Sequence, residues 1–285
     1  MSAPEQRGAA PFANIRPELF NTLPPHLTEE GGKIHFNSGS KFMPPSAPRQ
    51  EEVRNLLLAS LPPEEFQQLA PRLTRVGLET GQRLYELEEP IPFIHFMEGG
   101  LISLLSILED GTSVEVGALG REGVGGLLVL LGHDVAAHTA VVRVGGEALR
   151  LRTTQARECL EHLPGFRARV LRYSRLLMSQ VAQTTLCNTL HTVEQRLARW
   201  LLLARMRLGS DTLPVTHDCL SHMLGVRRSG VTVTVGELER VGFVSHGRGF
   251  VRVEEAAGLG AAAACGCYGL LAEEYGDFIN NLDTL

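Results

Sequence analysis

Lysine is almost absent from this chain. Lys33 and Lys41 are the only two, and every other cation is arginine, a bias that reflects a GC-rich coding sequence rather than a function. Cysteine is scarce and unevenly placed: Cys159, Cys187, Cys219, Cys265 and Cys267 are odd in number, irregular in spacing and confined to the second half. That excludes the disulfide framework of a small secreted domain. The opening MSAPEQRGAAPFANIRPELF has neither the charged start nor the apolar core of a signal peptide, and no run approaches the roughly eighteen apolar residues of a membrane span. A cytoplasmic protein without membrane contact is expected. There is also no Gly-x-Ser-x-Gly elbow, phosphate loop or zinc-protease helix, so nothing points to an enzyme.

What is present is length, apolar content and local charge. At 285 residues and 44% hydrophobic, the chain can bury two cores and carry a tail. The formal charge of −5 argues against indiscriminate coating of nucleic acid. Yet between His191 and Arg252 nine arginines face five acids, a surplus of four. A basic segment on an acidic chain is compatible with specific binding.

Leu213 to Val253 is the most informative stretch. Thr216 is a good N-cap for a short helix with apolar positions Leu220, Met223 and Leu224, and Gly225 is the expected stop. A second helix should begin about three residues later. Val231, Val235 and Leu238 mark its buried stripe, which turns Arg228, Ser229, Thr232 and Val233 outward. FVS, HGRG and FVRV then read as two short strands with Arg248 at their tip. Together these make a winged helix-turn-helix, whose second helix enters a major groove. Arg228, Ser229, Thr232 and Val233 are expected to face bases of double-stranded DNA, and Thr216, Arg227 and Arg248 to contact phosphates. Gly230 inside the reader helix costs roughly 1 kcal/mol relative to alanine, which makes sense if its backbone approaches DNA.

Upstream, residues 1–48 are rich in Pro, Gly, Ser and Asn without sustained periodicity, and an unstructured arm is expected. A helical pair follows, broken at Pro62-Pro63. From Gly81 to Leu151 short extended runs alternate with glycine turns, as in a sandwich or jelly-roll barrel with room for a small ligand. From Gly165 to Leu208 there is no internal proline or glycine, so one helix on the order of 60 Å is expected. Its Phe166, Val170, Tyr173 and Leu177 recur at four, three, four, and the rhythm continues through Gln180, Thr184, Cys187 and His191. This is the expected dimer seam, although packing against the chain's own barrel gives the same rhythm.

Barrel, spine and winged helix in this order resemble the family of the cyclic-AMP receptor protein and the fumarate-nitrate regulator, the CRP/FNR transcription factors. FIHFMEGGLISLL and VEVGALGREGVGG carry the likeness in the barrel, THDCLSHMLGVRRSGVT in the reader and GFVSHGRGFVRV in the wing. AACGCYG at 263–269 looks like the Ala-Cys-x-Cys-Tyr ending of one subgroup. The resemblance implies an α+β chain: an arm over 1–48, a cyclic-nucleotide-binding-like barrel over 49–163, a dimerisation helix over 164–208 and a winged helix-turn-helix with a tail over 209–285. It also implies a homodimer on a two-fold-symmetric operator.

Departures from the family pattern bear on the effector. Cyclic-nucleotide binders hold the ribose with a glutamate and the cyclic phosphate with an arginine. Here Glu122 and Gly123 suit the first place, but the second reads His138-Thr139-Ala140. A histidine near neutral pH lacks the permanent bidentate clamp of arginine, so no tight cyclic-nucleotide binding is expected. An iron–sulfur cluster of the fumarate-nitrate type needs cysteines ahead of the barrel, and none precedes Cys159. His95 leaves a haem reading open, though a lone strand histidine is more often simply packed. No cofactor or metal is therefore expected. The barrel either senses another small-molecule effector or only dimerises and contacts RNA polymerase. Cys265-x-Cys267 is short of the four ligands of a zinc site, and His217, Cys219 and His222 point apart on a helix. Two alternatives stay open: a ligand-binding module whose winged helix contacts protein, and a thiol redox sensor using Cys265 and Cys267.

Overall fold

The computed structural model describes residues 27–30, 33–36, 47–263 and 266–282. The stretch expected to be an unstructured arm holds a hairpin, β1 (Leu27–Glu30) paired antiparallel with β2 (Lys33–Phe36). Next come α1 (Leu56–Ala59) and α2 (Pro63–Leu69). Asn55 caps α1 by accepting from the Leu58 amide. Its own side-chain amide donates to the carbonyls of Met97, Arg121 and Gly123, tying this helix to the barrel.

Two four-stranded antiparallel sheets form the barrel. One has the order β3 (Thr74–Leu78), β10 (Gly146–Arg152), β5 (Phe93–Met97), β8 (Val124–Gly125). The other runs β4 (Arg83–Tyr85), β9 (Thr139–Val144), β6 (Leu101–Ile107), β7 (Ser113–Leu119). A one-turn helix α3 (Leu127–Leu130) follows β8. Leu101 to Leu105 of β6 are all buried instead of alternating in and out. Both faces of that sheet are covered, the inner by the barrel core and the outer by helices, which is why LISLL reads as one apolar run.

The single helix expected over 165–208 is two. After α4 (Thr153–His162), α5 (Pro164–Leu190) ends, His191 and Thr192 adopt extended backbone, and α6 (Val193–Leu208) restarts. Neither proline nor glycine makes this break. Thr192 and Gln195 form a capping box, each side chain bonded to the other's backbone amide, which stabilises a new helix start.

The expected seam also faces the other way. Phe166, Val170, Tyr173, Gln180, Thr184 and Cys187 are buried within the chain, and Leu177 packs against its core. The four-three rhythm is real, but on this face it belongs to the helix's packing on its own barrel. A parallel rhythm runs along the opposite face: Leu171, Met178, Thr185 and Thr189 are exposed, flanked by exposed Leu186 and Leu190. Met178 is 72% exposed, far above what a residue inside a packed helix pair shows.

Beyond α6 lie β11 (Thr212–Leu213), α7 (His217–Leu224), α8 (Arg228–Arg240), β12 (Val244–Gly247) and β13 (Phe250–Val253). The three strands form one small sheet in the order β11, β13, β12. The expected tail contains α9 (Ala256–Ala263), packed on α6, and α10 (Cys267–Asn280), packed on α5. Among the described residues no helix is long and apolar enough to cross a membrane.

Candidate nucleic-acid interface

The reader is assembled from local rules. Thr216 caps α7 by accepting from the Cys219 amide at 3.1 Å, and Gly225 closes it in the left-handed region at φ 62°. Three residues later α8 begins. Val231, Thr234, Val235 and Leu238 are buried, and Leu220, Met223 and Leu224 of α7 join the same core. The remaining face is forced outward: Ser229, Thr232, Val233, Gly236 and Arg240, at i, i+3, i+4, i+7 and i+11, are all exposed. Val233 is 60% exposed, a branched apolar side chain with no intramolecular use.

Charge gathers where this stripe begins. Arg227 occupies the N-cap without a side-chain cap bond, and both it and Arg228 are exposed. The unsatisfied amides of the helix start and two guanidinium groups therefore share one end of the stripe, a favourable environment for anions. Arg248 is exposed between β12 and β13, and Thr216 is exposed at the start of α7.

Two histidines missed as reader residues flank this face. His217 Nδ1 lies 3.1 Å from Thr232 Oγ1, which itself donates to the Arg228 carbonyl at 3.1 Å. The His217 ring lies against His246 of the wing, centroids 5.2 Å apart, and His246 Nδ1 is 3.1 Å from Glu239 Oε1. Partial burial, then repulsion from His246 and Arg228, hold His217 below the usual imidazole range. It thus orients the Thr232 hydroxyl as a neutral ring. Gly236 was missed as well. A Cβ there would meet nothing within 4 Å, so its lack of a side chain serves nothing inside the chain. The signal was available in the i+7 spacing from Ser229. As expected, His217, Cys219 and His222 diverge: His217 meets Thr232, Cys219 is partly buried against the core, and exposed His222 lies 3.8 Å from Asp218.

The barrel residues expected at an effector are engaged within the chain. Glu122 is 1% exposed. Its carboxylate accepts from the Gly120 amide at 3.1 Å, from Arg207 Nε of α6 at 2.8 Å and from the Tyr275 hydroxyl of α10 at 2.9 Å. Arg207 also donates to Gln180 of α5 at 2.9 Å. Glu122 is therefore the knot joining barrel, α5, α6 and α10. At Gly123 a Cβ would stand 2.5 Å from the Tyr173 hydroxyl, so the residue marks close packing of α5 on the barrel. Thr139 is buried and accepts from the Leu87 amide at 3.3 Å. His138 is near the Tyr85 ring, and desolvation holds it below the usual imidazole range. His95 is buried on β5.

Residues 195–262, from α6 through the wing to α9, match the family model described as the Crp-like helix-turn-helix domain. This segment is similar to Crp-like helix-turn-helix domains. Solved structures described as transcriptional regulators of the CRP and CRP/FNR families share the fold of barrel, spine and winged helix. FixK2 of Bradyrhizobium japonicum is 14% identical with a TM-score of 0.59, over 67% of this chain and 96% of its own. A CRP-family transcriptional regulator of Thermus thermophilus is 20% identical with a TM-score of 0.57, over 67% and 96%. The c-di-GMP-responsive global regulator of Xanthomonas campestris is 13% identical with a TM-score of 0.57, over 67% and 98%. No curated relative matches the chain.

The Crp-like domain does not hang free of the barrel. Helix α7 lies on β7, with Ser113 Oγ donating to the His222 carbonyl at 3.4 Å and Met223 Sδ 3.8 Å from Ser103 Oγ. Trp200 Nε1 of α6 donates to Glu115 Oε1 at 2.9 Å, and Ser103 donates to the same carboxylate. Burial pushes the Glu115 carboxyl above its ordinary range, while the bonds from Ser103 and Trp200 act in the opposite sense. Arg196 donates to the Leu224 carbonyl at the end of α7.

Proposed function

We propose that the chain binds duplex DNA sequence-specifically as a homodimer, independently of cyclic AMP. One observation carries the reading: an exposed stripe of Ser229, Thr232, Val233 and Gly236 that starts from two exposed arginines and faces away from a packed scaffold. Arg228 suits guanine O6 and N7, and Val233 or the Thr232 methyl suits a thymine methyl. Thr216, Arg227 and Arg248 hold phosphates and set the register without reading sequence. The dimer forms through the outer face of α5, where Leu171, Met178, Leu186 and Leu190 are exposed along one helix. Two-fold pairing there gives two readers for a two-fold operator.

Cyclic-AMP independence rests on Glu122 and His138. The first is committed to Arg207 and Tyr275, and the second is an uncharged ring where a phosphate clamp would be needed. Calorimetric titration with cyclic AMP should give no saturable heat.

Selection of bound duplexes from a random pool tests the main reading. The chain should enrich an inverted repeat, with affinity falling steeply as salt rises. Arg228→Ala should relax one base pair in each half-site at about 1–3 kcal/mol. Unchanged specificity in that variant removes Arg228 from the readout, and failure to enrich any site removes the reading altogether.

A further inference from the structure

The Cys265-x-Cys267 pair lacks half of a tetrahedral ligand set, and α5 supplies the missing kind of atom. Cys187 lies in the last turn of α5, His191 is its C-cap residue, and Cys267 is the first residue of α10. Seventy-six residues separate His191 from Cys267, yet Cys267 Sγ lies 3.9 Å from His191 Nδ1. Ligand atoms of all three residues fall within 4.8 Å of one another. Cys187 and Cys267 are buried and His191 half-buried, so an ion among them would be largely shielded from water.

We propose that Cys187, His191 and Cys267 form a site for a borderline-soft divalent ion, zinc foremost. Two sulfurs and an imidazole nitrogen are the donors that zinc selects, at about 2.3 Å from sulfur and 2.0–2.1 Å from nitrogen. Those lengths set tetrahedral edges of roughly 3.5–3.8 Å. The 3.9 Å contact already nearly meets them, and the widest pair lies within 4.8 Å. Binding forms two metal–sulfur bonds and one metal–nitrogen bond and releases the two thiol protons to solvent; it needs no oxidant. The fourth position belongs to water; Cys265 lies outside the described residues. The ion would clamp three segments at one point: the end of α5, the break before α6 and the start of α10.

The test uses the full chain, purified reduced and without chelator. Elemental analysis should find one zinc per chain. Replacing the zinc with cobalt should give the intense visible bands of a tetrahedral ion, with near-ultraviolet charge transfer from thiolate. Cys187→Ser and Cys267→Ser should each diminish that charge transfer and weaken zinc by at least about a hundredfold. Circular dichroism of each variant separates loss of ligand from loss of fold, and cobalt titration of the unaltered chain needs no variant. Absence of zinc together with absence of cobalt bands in the folded, reduced chain overturns the proposal. So does unchanged metal content in the Cys187→Ser, Cys267→Ser double variant.

Discussion

Replacing Arg207 by methionine should destabilise the chain by about 3–5 kcal/mol, the range for stranding one member of a buried ion pair. Arg207 is 5% exposed and Glu122 1%, and their 2.8 Å contact is charge-assisted. Two donors, the Gly120 amide and the Tyr275 hydroxyl, remain on the stranded carboxylate, which places the loss toward the lower end of the range. Glu122→Gln alone strands the guanidinium, held then chiefly by Gln180. Combined with Arg207→Met it leaves a neutral network with no stranded charge, in which the amide oxygen accepts from Gly120 and Tyr275. The double variant should therefore recover at least about half of the single loss, a coupling energy of roughly 2 kcal/mol or more. Urea unfolding at fixed protein concentration measures this. The only tryptophan, Trp200, reports from the same junction through its bond to Glu115. If the two single losses simply add, within about 0.5 kcal/mol, the two side chains do not meet in solution and the knot is refuted.

Three further outcomes are expected. Burial, then the Arg150 charge, push His95 down to about 4. With a folded value below the unfolded one, the stability present above about pH 6.5 is lost as pH falls toward 4, by up to about 3 kcal/mol. His95→Gln should flatten thermal melts across that window; an unchanged pH slope excludes His95 as its source. Gly230→Ala and Gly236→Ala, neither meeting an atom within 4 Å, should each raise the melting temperature by the equivalent of up to about 1 kcal/mol. Gly230, expected from sequence to approach DNA, is half-buried and off the exposed stripe, so only Gly236→Ala should also weaken duplex binding in a fluorescence anisotropy titration, and equal affinity would show that the helix backbone stays clear of DNA. Leu171→Asp with Met178→Asp should halve the mass seen by light scattering while leaving helical dichroism intact; a persistent dimer would place the interface elsewhere.

The reader was legible because its determinants are local: a cap, a glycine stop and an apolar stripe all lie within about 40 residues, Thr216 to Val253. The break between α5 and α6 was legible in principle. Thr192-Val-Glu-Gln195 has the capping-box spacing, but a search for proline and glycine passes over it. The direction of the α5 seam was not legible, because both faces of the helix carry the same four-three rhythm and only the barrel decides which is covered. Helix α9 hid in AAGLGAAA, where glycine weakens any propensity reading. Glu122 was placed at an effector from its neighbours in sequence; its partners sit at positions 207 and 275, which no local pattern connects.

Tyr275 stands 153 residues beyond the carboxylate it caps. Contacts of such long range form late, since a large loop must close before they bring any gain. The barrel therefore cannot settle its interior charges until the reader and α10 have been synthesised and have folded back over α5. Cutting the gene after α6 would yield a barrel and spine whose glutamate lacks a donor it holds in the whole chain. Barrel and winged helix are separate in sequence, but they mature as one object.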